Sequence, residues 1–192
     1  MKENIKKWIE RDGQNFLIGL GIKKGQTVLD FGCGKGHYAI PAVKIVGNKG
    51  EVYAIDKDKK ALRELLSLAE SEELKNIKTI IPKKELQIFE ISDCFIDVVL
   101  LYDIIHLVSD RGKLYEEVYR ILKLNGLLSI YPKHYMNDGI ADDAGWRLKN
   151  ISLEDIIKEV EKLNFRLEKK LFEKLLHEDY FDEGYILNFR KS

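Results

Sequence analysis

The run DVVLLY, residues 97–102, restricts the fold more than any other stretch of the chain: after the aspartate every residue is apolar, so no position is left for a wet face. A strand of this kind is stable where helices cover both faces of its sheet, the condition met in parallel sheets. Four further segments read as strands: TVLDF (27–31), EVYAID (51–56), IKTIIP (77–82) and LLSIYP (127–132). Segments with helical spacing separate them. YAIPAVKIVG (38–47) tolerates Pro41 near its first turn, and KKALRELLSLAESEEL (59–74) carries Leu62, Leu65, Leu66 and Ala69 on one side. SDRGKLYEEVYRILK (109–123), capped by Ser109 or Asp110, turns Leu114, Val118, Ile121 and Leu122 inward. SLEDIIKEVEKLNF (152–165) takes Ser152 as N-cap, with Glu154 or Asp155 suited to the positive end of the helix dipole.

The tail breaks the alternation. RLEKKLFEK (166–174) and YILNFRKS (185–192) read as two strands with no helix between them, and such a pair must be antiparallel. Strand and helix alternate five times and a hairpin then closes the sheet, which specifies a doubly wound α/β domain. At the N-terminus, ENIKKWIER places Ile5, Trp8 and Ile9 on one helix face, a pattern more suited to packing than to substrate contact. Asp12 is the expected N-cap of a second helix with Phe16, Leu17 and Leu20 inward, stopping at Gly21. The expected division is one domain over 1–192, a helical lid over 1–21 and a core over 22–192.

In open α/β sheets ligands sit beyond the carboxyl ends of the strands. That places VLDFGCGKGHY, residues 28–38, in the binding position. A dinucleotide loop needs G-x-G-x-x-G, and here the place of its third glycine falls to His37, whose bulk crowds the helix–strand contact. A P-loop needs four residues between its glycines and then Lys-Ser or Lys-Thr, and GCGKGH has neither. Cys33 and His37 are two metal-type ligands without a third, so no metal is expected. What remains is G-x-G-x-G after a strand, with Asp56 closing the next strand. Glycines let a ligand lie against bare backbone, and a carboxylate at Asp56 can accept both hydroxyls of a ribose. Asp30 stands where it can receive an ammonium group. A ligand with an amino acid at one end and a nucleoside at the other fits.

On these motifs the chain resembles the class I S-adenosylmethionine-dependent methyltransferases. VLDFGCGKG is similar to their first motif, EVYAIDKD to their acidic second-strand motif, FIDVVLLYDIIHLV to their fourth strand and EVYRILKLNGLLSI to their fifth-strand block, in order over residues 22–132. The resemblance implies a Rossmann-like, mostly parallel seven-stranded sheet with a C-terminal antiparallel hairpin. It implies S-adenosyl-L-methionine as cofactor, with Gly32, Cys33, Gly34 and Gly36 along the methionyl side and Asp30 facing the amino group. Asp56 is then expected at the ribose, Lys57 over the adenine, and Glu85 followed by Leu86 reading the adenine amine. KLNGL stands in place of the family's usual Lys-Pro-Gly-Gly turn, and KKELQIFEISDCF departs from its Gly-Asp-Ala pattern.

Methyl transfer to a protonated nucleophile requires alignment and a base. His106 and His134 are the candidate bases, and Tyr102, Tyr135 or Tyr38 can position the acceptor, with Tyr102 also able to pack on the cofactor. The long connection 133–150 is expected to form one wall of an acceptor pocket and the N-terminal helix another. Lysine plus arginine and aspartate plus glutamate stand at 32 each, so no whole-molecule field draws in nucleic acid or an anionic membrane. With no signal-type or membrane-spanning apolar segment, a cytoplasmic protein acting on a small molecule is expected. A non-catalytic cofactor-binding sensor or partner subunit of the same fold is the alternative.

Overall fold

β4 (Ile96–Tyr102) buries every residue except Asp97, which is half-buried. Its alternate side chains enter two separate cores: Val98, Leu100 and Tyr102 join one, Val99 and Leu101 the other. This two-sided burial is what the unbroken apolar run requires. Asp97 spends its carboxylate on structure, accepting the Thr27 amide at 2.8 Å and the Lys123 ammonium at 2.8 Å.

The computed structural model describes residues 2–82, 91–133 and 151–192. Among them, β1 (Thr27–Phe31), β2 (Glu51–Ile55), β3 (Ile77–Ile80), β4, β5 (Leu122–Tyr131), β6 (Phe165–His177) and β7 (Tyr180–Lys191) form a seven-stranded sheet ordered β3-β2-β1-β4-β5-β7-β6. The first five strands are parallel, and β7 runs antiparallel between β5 and β6. β1 and β4 are neighbours although β2 and β3 lie between them in sequence, so the chain reverses direction across the sheet beside β1. A crevice opens at such a point above the strands' carboxyl ends.

One core lies under α1 (Glu3–Lys7), α2 (Gly13–Gly19), α3 (Ala39–Val46) and α4 (Lys59–Ser71). The opposite core lies under α5 (Arg111–Ile121) and α6 (Leu153–Glu161). Asp58 caps α4 by accepting the Lys60 amide at 2.7 Å, and Asp110, rather than Ser109, caps α5 through the Lys113 amide at 3.0 Å. Ser152 and Asp155 cap α6 reciprocally in a capping box. None of the described helices is long and apolar enough to cross a membrane.

Three sequence expectations are corrected here. Asp12 is not an N-cap: α1 continues through a widened π turn, Trp8–Asp12, directly into α2, and Asp12 has helical dihedrals and no capping bond. The turn widens because the Gly13 amide donates to the Trp8 carbonyl, five residues back. The indole then lies across Gly13, where a Cβ would meet Trp8 Nε1 at 2.7 Å. Second, β5 begins at Leu122, five residues before the apolar run at 127, and Asn125 takes φ +60° within KLNGL. Leu122 consequently belongs to a strand and not to α5. Third, the hairpin is longer than its apolar pattern, since β6 and β7 pair from Phe165↔Lys191 to His177↔Tyr180. β6 is an edge strand whose exposed positions are mostly charged, Arg166, Glu168, Lys169, Lys170, Glu173 and Lys174, and such charges discourage pairing with a further strand.

Candidate active site

β1 ends in the glycine loop, and each loop glycine has a left-handed backbone: φ is +78° at Gly32, +51° at Gly34 and +88° at Gly36. A Cβ at Gly32 would sit 2.7 Å from Ile104 Cδ1, and one at Gly36 would sit 2.8 Å from Leu65 Cγ. Those two glycines permit close packing of the loop on β4's end and on α4. Gly34 differs, because a Cβ there would meet nothing within 4 Å. Its bare backbone faces open space.

The loop is stitched to β2 from both sides. The Gly32 and Cys33 amides donate to the Ile55 carbonyl at 2.8 and 3.0 Å. Asp56 accepts the Gly34 amide on Oδ2 and the Asp58 amide on Oδ1, each at 2.8 Å. Behind the loop, Asp30 is 2% exposed and its Oδ2 has no hydrogen-bond partner. Burial, reinforced by the nearby Asp56 carboxylate and opposed by the Ala39 amide, pushes the Asp30 carboxyl up to about 7. Burial first, and then the Asp30 and Asp56 charges, push the Cys33 thiol up, so it is an inert part of the loop wall.

At the end of β4 the Tyr102 hydroxyl shares a hydrogen bond of 2.8 Å with Ser129 Oγ on β5. The Tyr102 ring meets Tyr38 edge to face at 4.6 Å, and the Tyr38 hydroxyl donates to the Leu176 carbonyl at 2.9 Å. Burial raises both phenols well above their ordinary range. The next residue, Asp103, has φ +54° and places its carboxylate 2.8 Å from His177 Nδ1 and 3.7 Å from His106 Nδ1. A cavity of about 730 Å³ opens here between the glycine loop, the end of β4 and the β6–β7 turn, with Gly34, Tyr38, Tyr102, Asp103, Tyr131 and His177 among its walls. Lys2 and Ile5 of the N-terminal segment line it too, and Lys2 pairs with Asp179 of the turn across its rim.

Residues 22–182 match the family model described as Methyltransferase domain. The chain belongs to the class I S-adenosylmethionine-dependent methyltransferase family. Over 155 residues it is 28% identical to 2-phytyl-1,4-beta-naphthoquinone methyltransferase, chloroplastic, of Arabidopsis thaliana, covering 77% of this chain and 59% of that protein. A shorter stretch of 46 residues is 56% identical to the "Probable cobalt-precorrin-6B C(15)-methyltransferase (decarboxylating)" of Saccharolobus solfataricus, 24% of this chain and 23% of that one. The chain thus spans less than two thirds of the length of either relative. Among solved structures, a SAM dependent methyltransferase from Aquifex aeolicus superposes with a TM-score of 0.76 at 23% identity, covering 97% of this chain and 93% of that one. At that identity the likeness establishes the fold, including the mostly parallel sheet with its antiparallel C-terminal pair.

Within this methyltransferase fold the sequence-predicted residues fall into three groups. Gly32, Cys33, Gly34 and Tyr102 line the cavity directly. Asp30, Gly36, Asp56 and Lys57 stand around it: Asp30 and Gly36 are buried behind the loop, Asp56 is half-buried and Lys57 is exposed at the end of β2. His106 sits on a short 3-10 turn, Ile105–Leu107, and its imidazole is directed to Asp103. Glu85, Leu86, His134, Tyr135 and the 134–150 part of the expected acceptor wall lie outside the described residues. Reading the sequence did not single out His177. It ends a charged edge strand with no local motif, and its partner Asp103 is distant in sequence, so only the folded hairpin joins them.

Proposed function

We propose that this chain binds S-adenosylmethionine on its glycine loop and directs methyl transfer to a small-molecule acceptor in the adjoining cavity. The observation that carries the reading is the conjunction of bare backbone at Gly34 with a buried, unpartnered carboxylate oxygen at Asp30. A methionyl tail needs main chain to lie against and an anion for its ammonium, and an orphaned buried acceptor is costly until a donor arrives. Asp56 uses one amide on each oxygen and so retains capacity for a ribose diol, since a carboxylate offers about four acceptor sites. Gly32, Cys33 and Gly36 keep the loop in that shape, and Lys57 lies beside the adenine side.

When bound, S-adenosylmethionine supplies a methyl group activated on a sulfonium. The chain's own work is alignment and exclusion of water. Tyr38 and Tyr102 are suited to this because their hydroxyls are already engaged, which leaves a rigid aromatic wall at the end of β4. Tyr102 accordingly acts as a wall and not as a proton carrier. The small-molecule acceptor is supported by the size of the cavity and by relatives named for acting on a naphthoquinone and a precorrin.

Titration calorimetry of S-adenosylmethionine into the wild type and Asp56→Ala, with chromatographic detection of S-adenosylhomocysteine during turnover, tests this reading. The substitution removes the ribose acceptor and releases the Gly34 amide, so affinity should fall at least about tenfold, the loss of one charge-assisted hydrogen bond or more. Unchanged affinity would place the cofactor elsewhere.

A further inference from the structure

Asp103 holds a left-handed backbone, φ +54°, that is strained for an L-residue, though aspartate tolerates it better than most. Its amide donates to the Tyr131 carbonyl at 2.9 Å, which locks the main chain in place. That backbone aims the carboxylate at His177, with 2.8 Å between Oδ2 and Nδ1. Two lone pairs repel at such a distance, so Nδ1 carries a proton, and in neutral His177 the basic lone pair is on Nε2.

His177 is itself fixed from several directions. It is the last residue of β6, the Leu176 carbonyl before it accepts the Tyr38 hydroxyl, and the turn after it is held by Lys2 and by Asn4, whose Nδ2 donates to the Asp179 carbonyl at 3.3 Å. Its ring meets Tyr180 at 5.2 Å. The charged groups around it come from every neighbouring element. Asp103 and His106 follow β4, His37 precedes α3, Glu178 and Asp179 form the turn, and Asp182 is on β7. Lys133, after β5, is directed to Asp182 at 3.0 Å and to the Tyr180 hydroxyl at 2.9 Å. Three tyrosines, Tyr38, Tyr102 and Tyr131, line the same cavity as His177.

We propose that His177 is the base that removes the acceptor's proton, that Asp103 is the positioning residue that orients it, and that the acceptor is an aromatic hydroxyl compound. This rests on the methyl-transfer reading above. A phenolic hydroxyl ionises near 10, within reach of imidazole, whereas an alkyl hydroxyl holds its proton far more tightly. The tyrosine rings suit a flat ring as its neighbour. In the step, His177 Nε2 takes the hydroxyl proton while the freed oxygen pair forms a bond to the methyl carbon. The carbon–sulfur bond breaks with its pair left on sulfur, so the sulfonium becomes a neutral thioether. The imidazolium faces the Asp103 carboxylate and then gives its proton to water.

The test uses the full chain with S-adenosylmethionine and three probes, catechol, 2-naphthol and 1,4-naphthohydroquinone, detecting methyl ether and S-adenosylhomocysteine together. His177→Ala should lower kcat roughly 100-fold or more, the usual contribution of a positioned base. Its Kd for S-adenosylmethionine should stay within about threefold, and added imidazole should restore part of the rate, which a purely structural role would not allow. His177→Gln, closer in shape, should show the same loss and guards against misfolding of the alanine variant. Nitrogen NMR should find His177 in the Nδ1–H tautomer, and Asp103→Asn should disturb that preference and lower kcat with cofactor affinity kept. A His177 variant that retains kcat, an Nε2–H tautomer in the wild type, or no ether from any probe by protein that binds S-adenosylmethionine overturns the proposal. Failure of the wild type to bind S-adenosylmethionine overturns instead the functional reading beneath it.

Discussion

Asp30 is the residue where folding and the proposed function pull in opposite directions. Burial raises its carboxyl from the ordinary 3.8 to about 7, so the folded state holds a proton that the unfolded chain releases near pH 4. For an acid raised in this way, the stabilising contribution is complete below the unfolded value and is lost as pH climbs through the folded one. Above pH 7 the cofactor-free fold carries a buried anion with an unpartnered oxygen. Asp30→Asn, which resembles the protonated acid, should therefore raise the melting temperature of the free protein most at pH 8.5 and clearly less at pH 5. The gain should be on the order of a few kcal/mol, while S-adenosylmethionine affinity falls. Thermal unfolding at the two pH values checks this, and a uniform effect would mean that Asp30 is not the titrating group. The loop glycines separate in the same manner. Gly34→Ala meets only backbone strain of about 1 kcal/mol and should fold, losing cofactor affinity because the methyl enters the cradle. Gly36→Ala adds a 2.8 Å collision with Leu65 and should show the larger fall in melting temperature. Asp30, Asp56 and the glycines were legible in sequence because strand ends and glycine spacing are local signals. The Asp103–His177 contact was not, because a left-handed aspartate and a hairpin histidine come together only through the tertiary fold.

Among the elements, the five parallel strands were readable because full burial leaves an apolar run, and the helices because their inward residues recur at three and four. The N-terminal helix shows where that reading stops. An aspartate before a glycine looks like a helix start, but the π turn lets the helix run on, and what decides the matter is Trp8. Its indole is 1% exposed, donates to the His37 carbonyl at 2.8 Å and touches the rings of Phe16, Tyr38 and Phe181. The side chain thereby joins the N-terminal helix, the loop leading into α3 and the hairpin at one point. Trp8→Ala should cost about 3–5 kcal/mol, the usual range for a large aromatic truncated in a core. It should also loosen the rim contact of Lys2 with Asp179. Trp8→Phe should retain most of the packing and lose mainly the hydrogen bond, about 1 kcal/mol. Urea unfolding of both variants measures the difference, and equal losses would show that the hydrogen bond, not the packing, holds the helix. The hairpin's extra length was hidden for another reason: an edge strand whose exposed positions are mostly charged carries little apolar period to read.

For the whole molecule, the raised Asp30 carboxyl couples the proposed cofactor binding to protons. An ammonium group seated against Asp30 requires the carboxylate, so below pH 7 the site must release a proton before that contact forms. Affinity for S-adenosylmethionine should fall by up to about tenfold per pH unit below that point and level off above it. Binding to the folded state alone stabilises it by mass action, by about 2.7 kcal/mol when free ligand is 100 times Kd. Two opposing trends should then appear in one set of melting curves. As pH falls from 8 to 5.5 the Asp30 contribution to the cofactor-free protein grows, while the increment added by a fixed concentration of S-adenosylmethionine shrinks. Asp30→Asn should flatten both trends together, since one group causes them. Calorimetry at pH 6 in buffers of different ionisation enthalpy supplies the independent count: the wild type should release close to one proton per cofactor bound, and Asp30→Asn should release none. A ligand increment that does not vary with pH, alongside no proton release, would separate Asp30 from the ammonium and leave it a purely structural acid beneath the glycine loop.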